Sequence, residues 1–137
     1  MRRRRGMAGA GVGIVLAMGP VLAHHSFSAE FDANKPVTLR GAVTKVELIN
    51  PHSWVYLNVK ESNGEVVNWK VECGAPNALL RRGWNKNSLP IDTEIVVEGF
   101  RAKNGTAMAN ANNITGPDGR KMFVGSSGTG APYDEKK

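Results

Sequence analysis

Val37-Thr38-Leu39-Arg40-Gly41-Ala42-Val43-Thr44-Lys45-Val46-Glu47-Leu48 is the stretch on which the fold turns. Val37, Leu39, Val43, Val46 and Leu48 are apolar and polar residues separate them. This period of two predicts a long strand with one buried face. The alternation slips near Gly41, and a glycine inside a long strand marks a bulge or bend.

On the C-terminal side, Asn50-Pro51-His52-Ser53 has the composition of a turn. Residues 54–60 predict a second strand, with Val55, Leu57 and Val59 on one face and Trp54 and Tyr56 on the other. Asn63-Gly64 is a hairpin signal. Residues 66–71 predict a third strand carrying Val67, Trp69 and Val71 on one side. The period then changes. Pro76-Asn77-Ala78-Leu79-Leu80-Arg81-Arg82-Gly83 fits a short helix, with proline in the first turn and glycine just past the end. Leu79 and Leu80 are expected to face the core. Residues 93–100 and 107–114 predict two more strands around an Asn104-Gly105 turn. Pro117-Asp118-Gly119 then leads into a short final strand at 120–124.

Three strands, one helix and two strands is the order of an OB-like fold: all-β with one short helix, a five-stranded, partly open barrel. An immunoglobulin-like sandwich needs about seven strands and no helix in the middle. The barrel domain is assigned to residues 37–124. Residues 24–36 form an N-terminal arm in which Phe27 and Phe31 are either one face of a helical turn or two anchors of an extended segment, and Pro36 ends it. Residues 125–137 begin with Gly125-Ser126-Ser127-Gly128-Thr129-Gly130 and end in charge, a composition that predicts a disordered tail.

Residues 1–23 have the layout of a cleavable signal peptide: four arginines, Arg2 to Arg5, an uncharged apolar run, and Pro20-Val21-Leu22-Ala23 before the cut. The run is too short and too rich in glycine to span ~30 Å of hydrocarbon as a stable helix. The expected location is periplasmic or secreted, with no membrane anchoring after processing. The arginine run hints at twin-arginine export, and the general secretory route is favoured. The whole chain of 137 residues holds 18 basic and 12 acidic residues, net +6. Removal of the four arginines leaves 14 against 12, or +2. The mature part therefore has no concentrated basic face for nucleic acid. Its 114 residues make one domain, enough for a core without staples. Cys73 is the single cysteine. It is a free thiol, an intermolecular link, or simply a small buried hydrophobe.

His24-His25-Ser26-Phe27, Glu30-Phe31-Asp32, Asn50-Pro51-His52, Pro76-Asn77-Ala78-Leu79 and Arg82-Gly83-Trp84 together resemble a family of small exported bacterial proteins, domain-of-unknown-function family 6152. The resemblance runs from His24 to about Gly125. It implies export and a single small β domain, and it brings no established reaction. Ile91-Asp92 departs from the Gly-Asp often seen before the fourth strand of such barrels.

Three histidines carry the sharpest chemical proposal. Cleavage after Ala23 leaves His24 as the first residue, with an amine of reference pKa ~7.7–8.0 and an imidazole near ~6.5. An amine and an imidazole on one residue chelate a metal as a pair. His25 or His52 adds further nitrogen, a donor set that suits copper(II) and also zinc. The alternative is a solvated His-His pair and a His52 that caps a turn.

Trp54, Trp69, Trp84 and Tyr56 can stack on rings, but packing is the expectation for most of them. Trp84, just after the helix, is expected to be the exposed one. Arg81 and Arg82 can bind an anion or complement the helix end. No paired carboxylates, phosphate loop or nucleophile–base constellation stands out. The sequence thus predicts a non-enzymatic binding module for an unknown small ligand or exported protein. Its surface is built from Asn50 to Trp54 and from Arg81, Arg82 and Trp84. The alternative is a copper or zinc protein using His24, His25 and His52, and a third reading is an enzyme with a metal at the same histidines acting on an unknown substrate.

Overall fold

The computed structural model describes residues 26–126 and 128–133. The expected signal peptide, His24 and His25 lie outside them. Two short helices and six strands follow one another: α1 (Phe27–Glu30), β1 (Phe31–Glu47), β2 (Trp54–Lys60), β3 (Val66–Glu72), α2 (Pro76–Arg81), β4 (Glu94–Ala102), β5 (Met108–Thr115) and β6 (Lys121–Phe123).

The strands form one sheet in the order β3-β2-β1-β4-β5-β6, and β3 also pairs with β5. That extra pairing is parallel and closes the sheet into a ring; the other pairings are antiparallel. The protein is all-β with only short helices, and α2 sits between β3 and β4 as an OB-like order requires. β1 is long because it serves two partners. Its residues 31–42 pair with β4, and its residues 41–47 pair with β2. Gly41 lies where the two pairings overlap. A Cβ there would stand 2.1 Å from the Asn58 carbonyl oxygen, so only glycine allows the approach. The register slips two residues further on, between Val43 and Lys45, so Thr44 is the extra residue of a bulge.

β1 begins at Phe31, earlier than the sequence predicts, because the chain runs extended straight through Pro36, which lies opposite Phe100. The register shifts between Phe31 and Pro36, as expected for a residue with no N–H to give a ladder. The core inside the ring holds Leu39, Val43, Leu57, Trp69, Val71, Ile95, Val97 and Ile114, with Leu79 of α2 covering it. Each such side chain contributes about 1.5–3 kcal/mol on burial. Leu79 is buried but Leu80 is 51 % exposed, contrary to the paired expectation. Neighbouring residues on one helical turn point about 100° apart, so a six-residue helix cannot turn both inward.

A second, smaller cluster lies apart from the main core. Phe27, Phe31, Ala102 and Ala131 are buried in it, with Phe100, Met108 and Tyr133 against them. Here the structure departs from the expected disordered tail. Tyr133 stacks on Phe100 with ring centroids 6.4 Å apart and meets Phe123 edge-on at 5.6 Å. Gly125 and Ser126 are buried too. A glycine-rich composition predicts freedom, but Ala131 is buried and Tyr133 packs on Phe100 and Phe123, so residues 128–133 dock on this aromatic surface. The N-terminal arm docks on the same segment: the Phe27 N–H donates to the Thr129 carbonyl at 2.9 Å. Among the described residues no helix is long and apolar enough to cross a membrane.

Candidate functional site

The β1–β2 connection carries Asn50, a cis Asn50–Pro51 bond, His52 and Ser53. Asn50 is exposed, His52 half-buried and Ser53 buried. Ser53 is tied by its N–H to the Gly74 carbonyl at 3.0 Å, and its own carbonyl accepts from the Cys73 N–H at 2.8 Å. These two bonds set the loop beside the end of β3 and bring His52 next to Glu72. His52 Nδ1 lies 3.8 Å from Glu72 Oε1, and the two side chains are only 14 % and 11 % exposed. From the other side the Ser126 hydroxyl approaches the same ring nitrogen at 3.5 Å.

Glu72, the last residue of β3, is only 8 % exposed. The parallel pairing sets it opposite Asn110, whose side-chain amide donates to Glu72 Oε1 at 3.2 Å. Asn110 in turn accepts from the Tyr133 hydroxyl. His52, Glu72, Asn110, Tyr133 and Ser126 therefore form one network along the seam of the ring. A buried carboxylate persists only when such partners offset its lost hydration.

The helix-end residues divide. Arg82 reaches the same region. Its guanidinium donates to the Gly125 carbonyl at 2.9 Å and lies 4.7 Å from the centre of the Phe123 ring. It fastens the segment that carries Ser126. Arg81 is exposed in the last turn of α2, where a positive charge complements the helix end. Trp84 is a correction: it is 4 % exposed, not a surface residue. Gly83 has φ +88°, which reverses the chain, and the Trp84 N–H then bonds the Leu79 carbonyl at 2.9 Å. The indole is thereby directed into the core. Trp54 is half-buried, opposite Glu72 in the β2–β3 pairing, with the Lys70 ammonium 3.9 Å from its ring centre. Trp69 packs in the core, as its alternation predicts.

Cys73 is a free, buried thiol. Burial first, and the Glu72 charge second, push its pKa far above the ordinary range. It stays protonated and is a poor nucleophile or ligand, which agrees with the reading as a small hydrophobe. Ser126 and Glu72 both approach Nδ1 of His52, whereas a nucleophile–base–carboxylate relay uses the two ring nitrogens separately. Among the described residues no three His, Cys, Asp or Glu side chains converge as a metal group. His24 and His25 lie outside those residues.

The sequence located His52 and Arg82 but missed Glu72, Asn110, Ser126 and Tyr133. A polar residue ending an apolar strand and an asparagine amid alanines signal nothing until the β3–β5 register sets them opposite each other. No curated protein matches the chain. A family model described as a family of unknown function matches residues 13–111. That span takes in the arm, the first loop, α2 and the residues of the seam up to Asn110. The chain belongs to this family of unknown function, DUF6152.

Proposed function

We propose that the protein is an exported, non-enzymatic binding module that receives its ligand, a small molecule or another exported protein, at the end of the ring around His52. The observation that supports this most is the convergence there of the β1–β2 loop, the end of β3 and the segment Val124 to Ser126. The Gly74 N–H donates to the Val124 carbonyl at 2.7 Å, so the three pieces are tied together. A half-buried imidazole between a hydroxyl and a carboxylate offers polar recognition of a ligand. The layout of residues 1–23 supports export, and the mature charge of +2 gives little attraction for nucleic acid.

Two measurements test this. The intact mass of protein recovered after expression in an exporting cell should correspond to a chain beginning at His24. A photo-crosslinking residue placed at Asn50 should capture a discrete exported partner or labelled small ligand that the same residue at Asn63, in the β2–β3 hairpin, does not. Equal capture at both positions overturns the site.

A second reading is favoured by a chain of contacts: the ligand is a copper or zinc ion held by His24, His25 and His52. Phe27 bonds Thr129, the Thr129 hydroxyl donates to the Ser126 carbonyl at 3.4 Å, and the Ser126 hydroxyl faces His52. The arm thus enters beside the site. Calorimetric titration of copper(II) and zinc(II) into the processed protein and a His52→Ala variant tests it. Tight one-to-one binding lost in the variant is the expected result.

A further inference from the structure

We propose that the outer face of the sheet over β2 and β3 binds a glycan: Trp54 and Tyr56 stack on the carbon faces of successive sugar rings, and Asn58 and Asn68 read the hydroxyls beside them. Such binding goes beyond the reading around His52 and does not depend on it.

The face follows from the register. Val55, Leu57 and Val59 are buried inside the ring, so the residues that alternate with them point outward. Trp54 and Tyr56 are half-buried there and Asn58 is exposed. Residues directly opposite each other in an antiparallel pair share a face. Tyr56 therefore has Lys70 on one side and Lys45 on the other, and Asn58 has Asn68 beside it. Trp54 and Tyr56 are two residues apart, about 7 Å along the strand, which is on the scale of the step from one sugar unit to the next.

The rings are held before any ligand arrives. The Tyr56 hydroxyl donates to Glu47 Oε2 at 2.9 Å. The Lys70 ammonium lies 3.9 Å from the Trp54 ring centre and 5.9 Å from that of Tyr56, so one cation bridges both rings. Aromatic side chains fixed in this way offer a large contact area and lose little freedom on binding. Lys70 sits on a flexible stem and has three N–H donors that can turn from the rings to a ligand oxygen.

The amides supply the polar half. Asn68 Nδ2 donates to Asn58 Oδ1 at 2.9 Å and to Thr44 Oγ1 at 3.0 Å. Both amides are thereby oriented, and both are exposed. The Asn68 oxygen and the Asn58 nitrogen are not used in these bonds. An acceptor beside a donor suits a hydroxyl, which both gives and takes a hydrogen bond. Apolar ring faces bordered by hydroxyls are the surface of a sugar chain. An oligonucleotide also stacks on aromatic rings, but it draws its affinity from positive charge along its phosphates. Here Lys45 is paired with Glu47. The corresponding strands of OB-like folds carry oligosaccharides as well as oligonucleotides.

The test is a heteronuclear NMR titration of the protein recovered from an exporting cell. The probes are chitohexaose, cellohexaose, maltohexaose and hexagalacturonic acid, with single-stranded oligo-dT as the competing class. Trp54→Ala, Trp54→Phe, Tyr56→Ala and His52→Ala are measured alongside, with Ile91→Ala as an exposed apolar control before β4. Circular dichroism and urea unfolding confirm that each is folded, and Trp54→Leu, which keeps apolar bulk without a ring, replaces Trp54→Ala if the latter is not. The expected result is that one of these sugars shifts the amides of residues 54–58 and 68–70. Its binding should be about tenfold weaker in Trp54→Ala and in Tyr56→Ala, and close to native in Trp54→Phe and Ile91→Ala. No binding of any of these sugars, or equally tight binding of oligo-dT, overturns the glycan face. So does sugar binding indifferent to Trp54 and Tyr56. If that binding is lost in His52→Ala, the face is overturned and the reading around His52 stands.

Discussion

Asn110 donates its side-chain amide to Glu72 Oε1 at 3.2 Å across the parallel pairing that closes the ring. A neutral amide suits this place. It satisfies a buried carboxylate oxygen without a second charge, and its own oxygen accepts from Tyr133. Ring closure, the docked C-terminal segment and the surroundings of His52 are therefore parts of one network.

Replacing Asn110 should be felt at the seam. Asn110→Ala removes the donor and leaves the carboxylate less satisfied, a cost of about 1–3 kcal/mol in urea unfolding. Asn110→Asp should cost more at neutral pH, because like charges then face each other in a buried position. Equal midpoints for the native chain and both variants would show that the pair does not hold the seam.

The C-terminal segment should contribute measurably to stability. Tyr133→Phe keeps the stacking on Phe100 and loses the hydroxyl bond, a change of about 1 kcal/mol. Tyr133→Ala loses the ring contacts as well and should lower the unfolding midpoint further. Arg82→Ala should raise hydrogen exchange at Gly125 and Ser126, because the Gly125 carbonyl loses its donor. Unchanged exchange there would mean that Arg82 does not fasten the segment.

The tryptophans should separate sharply. Trp84→Ala empties a core position and should cost about 3–5 kcal/mol. Trp54→Ala exposes little new core and mainly loses its contact with Lys70, worth about 0.5–1 kcal/mol at an exposed site. Chemical denaturation of the two variants checks the ordering, and a larger loss at Trp54 would contradict it.

Glu47 should titrate low. The bond from Lys45, then that from the Tyr56 hydroxyl at 2.9 Å, hold its carboxyl below the usual range. A carboxyl lowered in the folded state stabilises it above the unfolded pKa, near ~4.3, and that contribution is lost as pH falls. Carbon-detected NMR titration should place the Glu47 midpoint below this value. Lys45→Ala and Tyr56→Phe should each move it upward, the lysine substitution by more.

Much of the architecture was legible in the chain. The slip of alternation near Gly41 marks where β1 passes from β4 to β2, and the switch from period two to a proline-led turn of helix placed α2 between β3 and β4. Those are local signals, because strand faces and helix ends are set by neighbours in sequence. Trp84 misled because its burial depends on the reversal at Gly83, and Leu80 because one short helix has room to turn only one leucine inward.

The sequence by itself determined a β domain with one inserted helix and the loop that carries His52. Tertiary structure alone decided that Glu72 meets Asn110 and His52, that Tyr133 docks, and that the two ends of the domain lie together. The reason is distance along the chain. Glu72 and Asn110 are 38 residues apart and Ser126 and His52 are 74, and only closure of the ring makes neighbours of residues whose own surroundings in sequence describe nothing but a surface.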